Sequence, residues 1–181
     1  MRIVAGQWRG RSLIAPPGSV TRPTADRVRQ ALFDMLMHAP WGGRSVIEDA
    51  VVLDVFAGTG AMGLEALSRG AARAVFVERD RAALTALRAN ITACKATDRC
   101  EVLGYDYERV SSGEAASLVF LDPPYGQDLV PKAMARLRAR GRIAPGALIV
   151  AETGRDEAPL VAEALAEREH GAARITVMRD I

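Results

Sequence analysis

Four consecutive residues, Asp122, Pro123, Pro124 and Tyr125, combine the groups needed to bind a planar, nitrogen-bearing base. They follow the apolar run 117–121, which predicts a buried strand that stops abruptly because proline cannot continue a ladder. Open α/β sheets place their chemistry at the carboxyl ends of strands. There the chain would present a carboxylate, outward carbonyls on a stiff backbone, and an aromatic ring. The same residues also fit a rigid turn without function, because short motifs recur by chance.

A glycine-rich loop is the second group of residues with chemical potential. Gly58, Gly60 and Gly63 follow the predicted strand 51–56 and have the spacing of a nucleotide-binding turn, in which the backbone approaches a ligand closely. Glu78 ends the next predicted strand, where its carboxylate could accept hydrogen bonds from both hydroxyls of a ribose. This spacing fits S-adenosylmethionine, a nicotinamide dinucleotide, or a purely structural turn.

Two details favour S-adenosylmethionine over a nicotinamide dinucleotide. Asp54 puts a carboxylate beside the glycine loop, which a sulfonium cofactor with an ammonium group tolerates and a pyrophosphate does not. The strand before Asp122 is the fourth in the predicted order, and in a doubly wound sheet it neighbours the first strand. We therefore expect the glycine loop and the Asp122 loop to face each other at the switch point of the sheet.

The elements that must position these residues alternate along the chain. Strands are predicted at 51–56, 74–77, 101–103, 118–121, 147–151 and 174–178, and helices at 61–68, 81–94, 128–140 and 158–167. A further helix is predicted ahead of this core, with Thr24 as its N-cap. The alternation favours a largely parallel sheet with helices on both faces. The segment after Gly171 is expected to add an antiparallel hairpin at one edge.

The bulk composition indicates one domain over residues 1–181, with the core at 50–181. The chain has 181 residues, 49% of them apolar and 25% charged, which is ordinary for a globular protein. No apolar run is long enough to span a bilayer, and Gly6 and Arg9 come too early for a signal peptide. Two cysteines, Cys94 and Cys100, make neither a disulfide framework nor a zinc set. We therefore expect a cytoplasmic monomer with reduced thiols and no metal.

The charge is unevenly distributed along the chain. Residues 1–30 contain six arginines and one acid, a formal +5, so the remainder of a chain of net charge +2 sums to −3. Residues 1–20 are predicted to form a basic β-hairpin arm around a turn at 6–10. A basic arm on an acidic body indicates nucleic-acid binding, although a solvated arginine-rich face would look the same. The candidate contacts are Arg9, Arg11, Arg22 and Arg27.

Together these stretches resemble the amino-methyltransferases with an Asp/Asn-Pro-Pro-Tyr motif. The closer resemblance is to the RsmD family, which methylates the exocyclic N2 of a guanine in bacterial small-subunit ribosomal RNA. The matching stretches are 1–11, 22–33, 53–71 and 121–125, in the family's order. The block 22–33 is the most specific of them, because Asp-Pro-Pro-Tyr also occurs in DNA adenine and cytosine methyltransferases. The linker 41–49 is longer than the family pattern predicts, and the segment after Ala151 matches only loosely.

The resemblance implies a Rossmann-like class I methyltransferase fold with a mostly parallel seven-stranded sheet and an N-terminal β-hairpin. It implies S-adenosylmethionine as cofactor and 16S ribosomal RNA as partner, within the assembled small subunit. The alternatives are a DNA adenine-N6 or cytosine-N4 methyltransferase, a non-catalytic RNA-binding protein, and an NAD-dependent oxidoreductase.

The catalytic residues that the resemblance implies are Asp122, Pro123, Pro124 and Tyr125. The cofactor-binding residues that it implies are Thr24, Asp54, Phe56, Ala57, Gly58, Gly60, Glu78 for the ribose, and Asp106 for the adenine amino group. Asp106 could equally cap the turn that follows it.

Overall fold

The fold is built on a seven-stranded mixed sheet, seen in a computed structural model that describes residues 1–17, 23–160 and 163–180. The strands are β1 (Val51–Val55), β2 (Arg73–Val77), β3 (Cys100–Leu103), β4 (Ala116–Leu121), β5 (Ile143–Gly154), β6 (Ala164–His170) and β7 (Ala173–Arg179). Their order is β3-β2-β1-β4-β5-β7-β6. Strands β1 to β5 pair in parallel, and β7 runs antiparallel to both β5 and β6. The predicted sheet is therefore confirmed, including the antiparallel edge and the neighbouring positions of β1 and β4.

In the described residues, four α-helices cover the two faces of the sheet: α1 (Pro23–His38), α2 (Ala61–Ser68), α3 (Arg81–Ala93) and α4 (Leu129–Ala139). Helices α1, α2 and α3 share one hydrophobic core with the N-terminal residues, and α4 packs in a second core on the opposite face. The strands supply both cores because successive side chains point to opposite faces. In β4, for example, Phe120 lies in the first core and Leu121 in the second. This explains the uninterrupted apolar run before Asp122.

The predicted helix 158–167 is wrong. The chain instead forms β6, which pairs with β7 across a turn at Gly171, whose φ is 59°. The alanine and glutamate content of this segment favours a helix by intrinsic propensity, but pairing along the free edge of β7 prevails over it. Strand β6 is mostly exposed, so it lacks the apolar alternation by which a half-buried strand is recognised.

Helix α1 begins at Pro23, so Thr24 lies in its first turn and is not the N-cap. Proline suits the first position of a helix because its missing N–H would have no partner there. The other predicted helices and strands are confirmed, with ends that differ by a few residues. The largest difference is β5, which extends from Ile143 to Gly154.

The N-terminal arm folds back on itself through an antiparallel bridge between Arg2 and Ser12. The backbone nitrogens of Ile3 and Leu13 donate hydrogen bonds to the carbonyl oxygens of Arg11 and Met1 at 2.9 and 3.0 Å. Its turn is placed against α2, where a Cβ atom on Gly6 would lie 1.8 Å from the carbonyl oxygen of Ser68. The Oγ of Ser68 accepts a hydrogen bond from the backbone nitrogen of Trp8 at 3.0 Å. The arm is therefore packed onto the body, and the part of the predicted hairpin at residues 18–20 lies outside the described residues.

A buried carboxylate holds the arm in place. Glu65 of α2 is fully buried and accepts hydrogen bonds from the backbone nitrogens of Val4 at 2.8 Å and Ala5 at 3.0 Å. It also pairs with Arg69 at 2.8 Å and with Arg29 at 3.4 Å. A buried charge is tolerated only when it is paired and hydrogen-bonded in this way. Arg29 is one of the six arginines in residues 1–30, and its charge is paired with Glu65 inside the protein.

Candidate active site

The carboxyl ends of β1, β4 and β5 place three side chains next to one another. Val55 of β1 pairs with Leu121 of β4, and Leu121 pairs with Ala151 of β5. The residues that follow these three are Phe56, Asp122 and Glu152. Because the pairs are in register and strands lie about 4.8 Å apart, these residues lie side by side at one edge of the sheet.

Two cavities meet at this edge. The first, of about 910 Å³, extends past Glu78 and Asp106 at the ends of β2 and β3. The second, of about 600 Å³, runs along the glycine loop and reaches Met1 of the arm and Val28 of α1. The residues that line both cavities are Phe56, Asp122, Tyr125 and Glu152. A ligand that spans both cavities must therefore pass these four side chains.

The glycine loop uses its three glycines in two ways. Gly60 and Gly63 press against the core, where a Cβ atom would lie 2.3 Å from Leu87 and 2.4 Å from Phe76, respectively. Gly58 has a φ of 56°, and a Cβ atom there would meet nothing within 4 Å. Gly60 and Gly63 are therefore needed for packing, whereas the conformation at Gly58 keeps the backbone open toward a ligand.

Phe56 also adopts a left-handed conformation, with a φ of 63°. This conformation costs a non-glycine residue on the order of 1–3 kcal/mol, so the surrounding structure must enforce it. Its ring packs against Tyr107 with the ring centroids 5.4 Å apart. Phe56 and Ala57 both line the second cavity.

Glu78 links the glycine loop to the end of β2. Its Oε2 accepts a hydrogen bond from the backbone nitrogen of Gly58, and its Oε1 accepts from those of Arg79 and Asp80, all at 2.8 Å. An ionised carboxylate has about four acceptor positions. Three are used by the backbone, so one ribose hydroxyl can bind directly and a second would have to displace a backbone N–H.

Asp106 has the capping role that the sequence left open. Its Oδ1 accepts a hydrogen bond from the backbone nitrogen of Glu108 at 3.1 Å, and its Oδ2 pairs with Arg79 at 2.7 Å. The side chain nevertheless lines the first cavity. Two of its roughly four acceptor positions are used in this way, so the carboxylate could also accept from an adenine amino group.

Asp54 is buried behind the glycine loop and accepts a hydrogen bond from the backbone nitrogen of Gly63 at 2.9 Å. Burial raises the pKa of this carboxyl to about 8, and the charges of Asp122 and Glu78 contribute in the same direction. The carboxyl lines the second cavity. A cation placed there would favour its ionised form.

Asp122 opens into both cavities. Desolvation, followed by the charge of Glu152, raises the pKa of its carboxyl to about 7. Tyr125 donates its hydroxyl hydrogen bond to Oε1 of Glu152, and its side chain is 42% exposed. Desolvation and this hydrogen bond raise the pKa of the Tyr125 hydroxyl. Because this side chain is partly exposed, its ring face remains free to stack on a planar ligand.

Glu152 is a site residue that the sequence interpretation missed. It directly follows the predicted strand 147–151, and acids at the ends of predicted strands had identified Glu78 and Asp122. The same pattern therefore marks Glu152, although no recognised motif surrounds it.

Some predicted site residues are only partly placed. Arg9 and Arg11 are exposed on the arm, and Arg27 is exposed on α1. Arg22 lies outside the described residues, and the side chain of Thr24 is not described. Within the described ranges, no helix is long and apolar enough to cross a membrane. The same ranges contain no cluster of three or more His, Cys, Asp or Glu side chains able to hold a metal ion.

Known proteins share both the sequence and this architecture. The model of the family described as Conserved hypothetical protein 95 matches residues 1–179. Ribosomal RNA small subunit methyltransferase D of Escherichia coli K12 is 43% identical over 154 residues, which cover 84% of this chain and 74% of that protein. The chain belongs to the RsmD family of rRNA methyltransferases. This confirms the family that the motifs indicated, and with it S-adenosylmethionine as the cofactor.

Solved structures agree with the RsmD assignment. A putative methyltransferase from Escherichia coli superposes with a TM-score of 0.85 at 37% identity and covers 99% of this chain and 97% of its own. The 16S rRNA N2 G1207 methyltransferase RsmC of Thermus thermophilus, in complex with AdoMet and guanosine, has a TM-score of 0.69 at 20% identity. It covers 91% of this chain and 45% of its own, and at this identity the likeness concerns the fold alone.

The residues of this RsmD-family chain fit S-adenosylmethionine. The open backbone at Gly58 leaves space for a cofactor along the loop, and Glu78 could accept a hydrogen bond from its ribose. Asp54 offers a carboxyl group toward the cavity that would hold the charged end of the molecule. A cationic group in the same place would favour the ionised form of this buried carboxyl, whereas a pyrophosphate would leave it protonated.

Proposed function

We propose that this enzyme methylates the exocyclic N2 amine of a guanine in 16S rRNA. The observation that carries the proposal is the position of Asp122 at the junction of the two cavities. A cofactor bound along the glycine loop, with its ribose at Glu78, would bring its reactive end to this junction. A base entering over Tyr125 would meet it there.

Asp122 and Pro123 would prepare the amine for attack. An exocyclic amine is a poor nucleophile because its lone pair is delocalised into the ring. The Asp122 carboxylate would accept a hydrogen bond from one N–H and the Pro123 carbonyl from the other, which favours a pyramidal nitrogen. Pro124 holds that carbonyl, because its ring fixes the backbone and offers no competing N–H. Tyr125 would stack on the base, which has to leave its helix to be reached.

The reaction needs no covalent enzyme intermediate. The cofactor would supply the methyl group, with a nitrogen–carbon bond forming as the sulfur–carbon bond breaks and its electron pair returns to sulfur. The methylated nitrogen is briefly cationic and strongly acidic, so its proton passes to water without a dedicated base. The protein contributes orientation and fixed charges, which are large effects when the groups are already in place.

The basic arm would bind the phosphate backbone of the RNA. Arg9 and Arg11 are exposed on the arm and Arg27 on α1. Arg22, the fourth candidate from the charge distribution, lies outside the described residues. Phosphate contacts of this kind position a nucleic acid without reading its sequence. We further propose that the enzyme acts as a monomer in the cytoplasm and that its substrate is the assembled small subunit.

The test is methylation by purified protein with labelled S-adenosylmethionine. Three substrates are compared: protein-free 16S rRNA, small subunits from a strain lacking the enzyme, and duplex DNA. Digestion to nucleosides identifies the labelled product, and Asp122→Ala protein is the control for contaminating activity. We expect label in N2-methylguanosine from small subunits. Label in N6-methyladenine or N4-methylcytosine would overturn the proposal.

A further inference from the structure

Glu152 is the one acidic side chain at the cavity junction, within the described part of the chain, that the mechanism above does not use. It is next to Asp122 in the sheet, because the preceding residues Ala151 and Leu121 are paired in register. Its contact with the Tyr125 hydroxyl involves Oε1. Among the described residues Oε2 makes no hydrogen bond, and the side chain borders both cavities. A second acceptor is therefore available beside the carboxylate assigned to the amine.

The arrangement of two adjacent acceptors matches the edge of guanine and not that of the other amino bases. Guanine presents two neighbouring donors, the N2 amine and N1–H. In adenine the N6 amine neighbours the N1 acceptor, and in cytosine the N4 amine neighbours the N3 acceptor. A carboxylate at this second position would accept from guanine N1–H but repel the lone pair of the other two bases.

We propose that Glu152 is a specificity-determining residue that accepts a hydrogen bond from N1–H of the target guanine. This inference rests on the proposed function, since it needs guanine N2 as the methyl acceptor. Asp122 and Pro123 then hold the amine, and Glu152 reads the atom next to it. Tyr125 holds Glu152 through its hydroxyl and presents its ring to the base. The Asp-Pro-Pro-Tyr motif, which is shared with adenine and cytosine enzymes, would thus gain guanine selectivity from a residue on the next strand.

The test replaces the target guanine and Glu152 in turn. Small subunits are reconstituted with either guanine or 2-aminopurine at the methylated position. 2-Aminopurine keeps the 2-amine but has an acceptor at N1. With wild-type enzyme we expect kcat/KM to fall by roughly tenfold to a hundredfold on 2-aminopurine, the range for one lost hydrogen bond to a charged group. With Glu152→Gln, whose amide can accept or donate, we expect the ratio between the two bases to shrink by about tenfold.

Two controls separate base reading from a structural role. Tyr125→Phe removes the hydroxyl partner of Glu152 but keeps both the ring and the carboxylate, so discrimination between the two bases should fall less than in Glu152→Gln. Affinity for S-adenosylhomocysteine should be unchanged in Glu152→Gln. If Glu152→Gln methylates guanine and 2-aminopurine in the wild-type ratio, the inference is wrong while the proposed function stands. If wild-type enzyme methylates no guanine in small subunits, the proposed function itself fails.

Discussion

The side-chain amide of Asn90 donates a hydrogen bond to the carbonyl oxygen of Thr59 at 3.0 Å and thereby supports the glycine loop from below. The same side chain bonds both backbone groups of Ile14 in the arm, at 2.7 and 2.9 Å. Asn90 is buried, and three backbone partners meet at this one amide. It joins the arm to the cofactor loop through a single side chain of α3.

Replacing Asn90 should lower both the stability of the fold and the affinity of the glycine loop for its cofactor. Asn90→Ala leaves buried backbone groups unpaired, so we expect a loss of about 1–3 kcal/mol in the free energy of unfolding. Affinity for S-adenosylhomocysteine should also fall, because the loop at Thr59 loses its support. Denaturant unfolding and calorimetry measure the two effects. Thr85→Ala on the exposed face of the same helix is the control, and an equal effect there would argue against the link.

Asp122 should be essential for transfer but not for cofactor binding. We expect Asp122→Ala to abolish methylation because the base amine loses its charged acceptor. Asp122→Asn should retain more activity, since an amide oxygen still accepts a hydrogen bond. Turnover is measured beside calorimetry with S-adenosylhomocysteine. If Asp122→Ala loses cofactor affinity as strongly as it loses rate, Asp122 does not act at the base.

Glu78 should contribute directly to cofactor affinity. Glu78→Ala removes the ribose acceptor and also the bond that holds the backbone nitrogen of Gly58. We expect S-adenosylhomocysteine binding to weaken by about 1.5–3 kcal/mol, the usual range for a hydrogen bond to a charged group. Calorimetry on the wild type with NADH is the companion measurement. Tight NADH binding without S-adenosylhomocysteine binding would contradict the cofactor assignment.

Methyl transfer should depend on pH through Asp122. The pKa of its carboxyl is raised to about 7, so the ionised form that accepts the amine hydrogen bond is lost as the pH falls through 7. We expect kcat/KM for RNA to rise with pH and level off above 7. A bound sulfonium would move the midpoint lower, because a positive charge favours the carboxylate. The neighbouring acids Asp54, Glu78 and Glu152 could also change the rate with pH, so the pH profile of Asp122→Asn is the control. In that variant the rise of kcat/KM through pH 7 should disappear.

The same raised pKa has the opposite sign for stability. The folded state holds the Asp122 proton more tightly than the unfolded chain does, in which this carboxyl has its ordinary pKa of 3.8. This contribution to stability is complete below that value and is lost as the pH rises through about 7. Asp54 behaves in the same way up to about 8. The pH range of highest activity is therefore the range in which these two acids destabilise the ligand-free protein.

The arm should contribute to RNA affinity through charge alone. Removing an arginine that touches one phosphate should reduce the salt slope of RNA binding by roughly 0.7–0.9. We expect the Arg9→Ala/Arg11→Ala pair to lower this slope and to leave S-adenosylhomocysteine affinity unchanged. Arg44→Ala is a matched control, because its side chain is 76% exposed and lies outside the arm. If the double variant binds RNA with the same salt slope as wild type and methylates normally, the arm has only a structural role.

The sequence predicted best the parts of the fold that burial determines. Strand β4 and its neighbours carry continuous apolar runs because both faces are covered, and the turn residues Gly58 and Pro123 mark where those runs end. Strand β6 could not be predicted, because an exposed edge strand has no apolar pattern of its own and its composition favours a helix. Pairing with β7 determines its structure, and that is a property of the assembled sheet.

The site shows the same division. Asp122 and Glu78 could be predicted because each ends a recognisable strand and belongs to a motif. Glu152 also follows a predicted strand but belongs to no motif, and the role of Arg29 depends on which side chains the fold brings beside it. Arg29 was one of the charges of the basic segment, yet it is buried against Glu65 at 3.4 Å. Formal charge counts along a chain do not distinguish such internal pairs from a binding surface.

The burial of Glu65 ties the opening of the arm to that of helix α2. Its carboxylate is the acceptor for the amide hydrogens of Val4 and Ala5, so these amides can exchange with solvent only after the arm separates from a carboxylate that then lacks two of its partners. Sub-global opening of this kind proceeds in cooperative units. The first residues of the chain thus belong to the same unit as α2, and their amide protection would follow that of the helix instead of the low protection usual for chain ends.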